Sequence, residues 1–280
     1  MVKIGQFNRL QVLRRSDFGL FLDAGDEQSI LLPQRDIPTD KPCEPGDWLE
    51  VFVYHDSEDR PVATSRTPKV QVGEFASLKV VDINRTGLFL DWGLAKDLLL
   101  PHSEEQRPLQ VGDYCVVYVF LDDRTGRIAA SARIDRYLDK TPARYKVGEK
   151  VSLLLAGSTE MGYKAIINNS HWGLLHRNEL FRHVRNGMQL DGYIRELRAD
   201  GKVSLSLQPP GAQGRDELAE RILARLRDNG GQLLLSDKSP PQAITAAFGV
   251  SKASFKKAIG GLYKQGRIVI HADRIELAGD

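Results

Sequence analysis

Apolar and polar positions alternate in short runs up to about residue 208, and switch to a helical spacing after residue 210. The first runs are Gln6–Leu13, Phe18–Asp23, Ser29–Pro33, Trp48–His55 and Pro61–Arg66. They are rich in β-branched and aromatic residues and are separated by Gly, Pro, Asp and Asn, which reads as five strands. Five short strands, with a longer connection between the third and fourth, predict a small closed barrel of the oligonucleotide-binding (OB) type, whose closure removes exposed edges.

The same arrangement occurs three times. Gly5, Gly73 and Gly148 open the copies, and Gly19, Gly87 and Gly162 follow fourteen residues later. Pro33, Pro101 and His176 then close a strand, Gly46, Gly112 and Gly187 mark a turn, and Ser65, Ser131 and Ser206 end each copy. Every marker moves by 75 residues from the second copy to the third. From the first to the second the step is 68, falling to 66 after a two-residue deletion. The chain is therefore expected to hold OB barrels at 1–69, 70–140 and 141–210.

Residues 211–280 differ in texture. Pro209–Gly214 reads as a linker, and Leu218, Ile222, Leu223 and Leu226 recur at helical spacing within Arg215–Asp228. Leu233–Leu235 is strand-like, Pro240 and Pro241 open a second helix that stops at Gly249, and Ser251 caps a third helix from Lys252 to about Gln265. Ile268–His271 and Arg274–Leu277 form a hairpin around Ala272-Asp273. Helix, strand, two helices and a hairpin make a winged helix, with the third helix as its usual recognition element. The fold class expected is mainly β with a C-terminal α+β domain. Gly260-Gly261, costly within a helix, predicts close packing of that helix against a neighbour.

Composition narrows the function. At 280 residues, 41 % hydrophobic and 27 % charged, the chain fits several soluble domains. The N-terminus carries no apolar stretch of signal-peptide length, no run could span a membrane, and two cysteines build neither a disulfide framework nor a zinc site. These features point to the reducing cytoplasm. Net charge is +2, yet residues 1–140 sum to −5 and residues 141–280 to +7. A polyanion is expected to meet the C-terminal half first.

The repeat resembles the RNA-binding repeat of ribosomal protein S-one. Phe18-Gly19-Leu20-Phe21 matches its aromatic pair and Gly173-Leu174-Leu175-His176 its histidine segment. In each copy a charged turn with a basic residue (Arg60, Arg127 or Lys202) precedes the final serine. Three such repeats before a winged helix are similar to the bacterial conserved virulence factor B family. The segment Phe248–Lys264 is especially like that family's third-helix region. The resemblance covers essentially the whole chain and implies an RNA-binding protein that affects expression of other genes, without known catalysis. Pro33, Thr86, Pro101, Met161 and Lys164 depart from the repeat pattern, so no copy carries the complete ligand face, and at least one barrel is expected to act as a spacer.

Single-stranded RNA is held by stacking bases on aromatic faces while cations follow the phosphates. Strand alternation alone would put Phe18 and Phe21 on opposite faces; the resemblance implies that both meet RNA. Phe89 is the equivalent in copy two. Lys164, His176 and Lys202 form the expected site of copy three, and Arg60, Arg127 and Lys202 are phosphate-contact candidates. In the winged helix, Lys252, Lys256 and Lys257 are expected opposite Phe255, Ile259 and Leu262. The competing assignments are barrel core for the phenylalanines, a surface histidine for His176, solvated charge for the cations, and a protein-docking face for the third helix. Nothing in the sequence calls for a cofactor or metal: His171, His176 and His183 lack a carboxylate cluster, and Asp122-Asp123 reads as a hairpin turn. The partner expected is single-stranded RNA. Alternatives are duplex DNA read by the winged helix, or RNA-processing or ribosomal proteins tethered through the acidic half.

Overall fold

The computed structural model describes residues 2–40, 42–180, 183–209 and 211–278. The chain is mainly β, with three five-stranded OB-type units followed by a winged helix. In the first barrel, β1 (Phe7–Ser16), β2 (Gly19–Gly25), β3 (Gln28–Pro33), β4 (Trp48–His55) and β5 (Pro61–Thr64) close in the order β1-β2-β3-β5-β4. Alternation sends Leu20, Leu22, Ile30, Leu32, Leu49, Val51 and Val53 into its core. The second copy contains β6 (Phe75–Ile83), β7 (Gly87–Asp91), β8 (Leu98–Pro101), β9 (Tyr114–Leu121) and β10 (Ile128–Ser131). The third contains β11 (Lys150–Thr159), β12 (Gly162–Ile167), β13 (His171–His176), β14 (Gln189–Leu197) and β15 (Val203–Ser206), closed like the first.

The second copy departs from the expected closure. Its strands form a sheet in the order β10-β9-β6-β7-β8, with no ladder joining β8 to β10 among the described residues. β8 and β10 nonetheless lie side by side, so this copy is a nearly closed barrel.

The register explains the repeat markers. Gly19 pairs with Pro33, Gly87 with Pro101 and Gly162 with His176, so two markers of each copy face each other across one ladder. The closing serine ties to a short 3-10 turn after the third strand. Ser65 Oγ donates to the Asp36 carbonyl at 2.5 Å, Ser131 Oγ to the Glu104 carboxylate at 2.6 Å, and Ser206 Oγ to Glu179 at 2.8 Å. Each of those acidic side chains also holds an arginine: Arg66, Arg136 and Arg195 respectively. Burial opposes the charge on Glu104, but the bonds from Arg136 and Ser131 hold its carboxyl below the ordinary value.

Residues 1–138 form one compact unit. Phe52 and Tyr54 of the first barrel meet Trp92 of the second edge-on, at 5.8 and 6.2 Å between ring centroids, within a shared core. Residues 139–280 form the other unit. There, α1 (Gly211–Asp228), β16 (Gln232–Leu233), α2 (Pro241–Phe248), α3 (Lys252–Lys264), β17 (Ile268–Ile270) and β18 (Ile275–Leu277) build the winged helix, with sheet order β16-β18-β17. Ile222, Leu226, Ile244, Phe255, Ile259, Leu262 and Ile275 fill its core. Pro241 stands in the first turn of α2, left-handed Gly249 ends it, and Ser251 Oγ accepts from Ser254 N at 3.0 Å to start α3.

Three local expectations are corrected. The linker expected at Pro209–Gly214 is absorbed into α1 from Gly211 onward; Pro210 lies outside the described residues. The strand expected at Leu233–Leu235 shrinks to Gln232–Leu233, because Leu234 turns out to solvent. The close packing expected at Gly260-Gly261 is absent: among the described residues, no atom beyond the local helix backbone approaches within 4 Å of a Cβ built at either position.

Candidate nucleic-acid interface

The first barrel presents its chemistry on the β1–β2 hairpin. Phe18 stands in the turn, outside the strand, so alternation does not govern it. Its backbone is pinned, with Phe18 N donating to Ser16 Oγ and Phe18 O accepting from Gln34 N, while the residue is 76 % exposed. Phe21 faces outward between buried Leu20 and Leu22. Arg14 pairs with Phe21 across the ladder and lays its guanidinium over that ring, 3.7 Å from the centroid. A cation, a half-exposed ring and a fully presented ring thus share one hairpin. Arg60 lies elsewhere, on the β4–β5 turn, where it pairs with Asp56 and Glu58, each at 2.8 Å.

In the second barrel Phe89 is half-buried and lines a cleft of about 250 Å3 with Tyr54, Trp92, Leu99, Pro101 and Arg127. Its ladder partner is Asp82, an acid where the first barrel has Arg14. Arg127 is bonded to Asp59 of the first barrel.

In the third barrel, strand alternation places Lys164 of β12 and Trp172 and His176 of β13 on one face. Lys164 Nζ lies 4.1 Å from the Trp172 ring centroid. His176 is half-buried at the end of its strand. Lys202 belongs to the β14–β15 turn and pairs with Asp200 of the same turn at 3.0 Å.

The three winged-helix lysines divide. Lys256 is exposed, 3.5 Å from Asp237, and Lys252 is half-exposed at the start of α3. Lys257 lines a cavity of about 370 Å3 with Arg195, Arg215, Arg221 and Ser254, between the third barrel and α1. Phe255, Ile259 and Leu262 are buried on the other side of the helix.

Sequence reasoning missed Arg14 and Trp172. A β-bulge between Val12 and Arg14 resets the side-chain alternation of β1, so spacing alone does not place Arg14 beside Phe21. Trp172 stands four residues before His176, and strand periodicity was a usable signal for it. Among the described residues no group of His, Cys, Asp and Glu could hold a metal ion, and no helix is long and apolar enough to cross a membrane. Burial pushes the Cys115 thiol up to about 11, which makes it a poor nucleophile.

Residues 4–66 and 72–132 match the S1 domain family, and residues 220–277 match the CvfB-like winged helix domain. Tandem S1 barrels followed by a winged helix define a nucleic-acid-binding class of protein. Within that class the chain belongs to the conserved virulence factor B family. The uncharacterized protein YitL of Bacillus subtilis is 32 % identical over 94 % of this chain and 90 % of its own length. Conserved virulence factor B of Staphylococcus epidermidis is 27 % identical over 98 % of this chain and 94 % of its own. A solved structure of a multidomain protein with nucleic acid binding domains from Streptococcus pneumoniae covers 98 % of both chains, at 24 % identity and a TM-score of 0.43.

Proposed function

We propose that this chain is a non-catalytic, cytoplasmic protein that binds single-stranded RNA and regulates gene expression after transcription. The observation that carries this reading is the Arg14–Phe21 stack beside the exposed Phe18 ring. Unpaired bases offer π-faces to such rings, and the neighbouring guanidinium serves the phosphate between two bases. A base pair in a duplex hides those faces, so the hairpin favours single strands. The third barrel repeats the theme with Lys164 over Trp172, in the half of the chain that carries the +7 charge. In this reading the first barrel contributes chiefly stacking, and residues 141–280 contribute chiefly phosphate contacts.

The test is fluorescence anisotropy of a labelled single-stranded RNA on the full chain, with unlabelled RNA and duplex DNA as competitors at two salt concentrations. RNA should compete better than duplex, and affinity should fall with salt as counterions return to the phosphates. The Phe18→Ala/Phe21→Ala variant should lose roughly 1–3 kcal/mol per stacked base. Duplex competing as well as RNA, with the double variant unaffected, would shift the site to the winged helix.

A further inference from the structure

The turn between β4 and β5 of the first barrel reaches across to the second. Asp59 N donates to Asp56 O at 3.0 Å and Asp59 takes a left-handed φ of 60°, which fixes a tight turn with its carboxylate outward. That carboxylate meets two cations of the second barrel: Lys96 Nζ at 3.3 Å and the bonded guanidinium of Arg127. Lys96 also donates to the Asp56 carbonyl at 2.6 Å. Together the two cations hold the Asp59 carboxyl below the ordinary value, the Lys96 hydrogen bond contributing most. Asp59, Lys96, Arg127 and Phe89 all line the same cleft.

Among the described residues this arrangement occurs at the second barrel alone. In the first and third, the corresponding turn cation pairs within its own turn, Arg60 with Asp56 and Lys202 with Asp200. Phe89 has no cation across its ladder, only Asp82. Lys96 and Arg127 are therefore the cleft-lining cations available to a phosphate whose base stacks on Phe89. Asp97 and Asp122 line the cleft too, and of its three carboxylates Asp59 is the one ion-paired with these cations among the described residues.

We propose that Asp59 is a built-in phosphate mimic. It fills, from the first barrel, a phosphate site made by Lys96 and Arg127 of the second, and so withholds the second barrel from RNA. The contact is displaceable. Asp59, Lys96 and Arg127 are each more than a third exposed, and exposed pairs of this kind are weak and salt-screened. A polyanion anchored elsewhere on the chain competes at high local concentration, so the second barrel is recruited after the others. This inference rests on the RNA reading above but fails separately from it.

The test uses the full chain and a labelled single-stranded RNA. Asp59→Asn should tighten binding about three- to ten-fold at low salt and steepen the salt dependence by roughly one phosphate contact. Adding Phe89→Ala should remove that gain, and Asp59→Glu should leave the parent affinity unchanged. A parent that binds RNA with no gain in a normally melting Asp59→Asn variant makes Asp59 a mere strut, and overturns the proposal. If Asp59→Asn loosens the barrels, Arg127→Ala in the parent decides. Unchanged affinity supports a masked Arg127, whereas a several-fold loss shows Arg127 already in contact with RNA and sinks the mimic. A parent that binds no RNA at any salt refutes the RNA reading itself.

Discussion

A Cβ on Gly19 would stand 2.0 Å from the carbonyl oxygen of Leu32. The same approach recurs between Gly87 and the Leu100 oxygen at 2.3 Å, and between Gly162 and the Leu175 oxygen at 2.1 Å. The second strand of each barrel therefore presses its first residue against the backbone of the third. That contact brings the aromatic hairpin of the first barrel onto the β3 end, and it demands glycine at one repeat position.

Gly19→Ala should consequently destabilise the 1–138 unit. The added methyl meets backbone, which cannot rotate away, and Gly19 has a φ of +145°, unfavourable for a side chain. A loss of about 2–4 kcal/mol is expected from strain and overpacking together. Chemical denaturation followed by circular dichroism measures it, and a loss below half a kcal/mol would show that the hairpin yields.

Acidification should weaken the same unit through His55. Burial foremost, then the positive field of Lys96, lowers its pKa, with Asp59 and Asp56 opposing and Arg127 assisting. Its Nδ1 is buried without a hydrogen-bond partner among the described residues. A histidine whose folded pKa lies below its unfolded value of about 6.5 stabilises the fold fully above that pH. The contribution is lost as pH falls through the folded value. The stability drop between pH 7.5 and 5.5 should therefore be smaller in His55→Gln than in the parent. His102 shifts upward through its bond to Glu105 and works in the opposite sense, but it is common to both proteins and cancels in the difference.

How much of this was legible in the sequence differs by level. The threefold pattern was readable because its markers are geometric necessities: Gly19 faces Pro33, and Ser65, Ser131 and Ser206 close on the 3-10 turns. Phe18 and Phe21 were named as candidates through family likeness, whereas Arg14 beside Phe21 was hidden by a bulge. Arg127 was legible as a basic turn residue, but its partner Asp59 is 68 residues away in another barrel. No local pattern reports such a pairing, because it depends on how two barrels pack. The missing β8–β10 ladder was equally invisible, since it depends on how two strands distant in sequence meet.

Intrinsic fluorescence should report RNA arrival at the third barrel. The chain has three tryptophans. Trp92 is buried in the core, Trp48 is exposed on β4, and Trp172 lies under Lys164 on the proposed face. A base that stacks on Trp172 would displace Lys164 and quench the indole. Single-stranded RNA should quench the parent, and Trp172→Phe should abolish most of the change while Trp48→Phe keeps it. Quenching that instead follows Trp48 would move the contact to β4 of the first barrel.

The open surroundings of Gly260 and Gly261 give a stability prediction with a functional reading attached. Both glycines lie inside α3, neither has a left-handed φ, and a Cβ at either meets nothing within 4 Å beyond the local helix backbone among the described residues. Alanine is then compatible with the folded helix and restricts the unfolded chain, so each substitution should stabilise the winged helix by about 0.5–1 kcal/mol. The winged-helix melt of Gly260→Ala and Gly261→Ala measures this directly. Folding alone thus gives no reason for glycine at these positions, and a ligand backbone that approaches α3 closely would give one. If the helix binds nucleic acid closely there, both variants should be more stable yet bind several-fold more weakly, and the loss should exceed that from Lys256→Ala per charge-neutral change. If α3 takes no part in binding, stability should rise with affinity unchanged, leaving the barrels as the nucleic-acid surface.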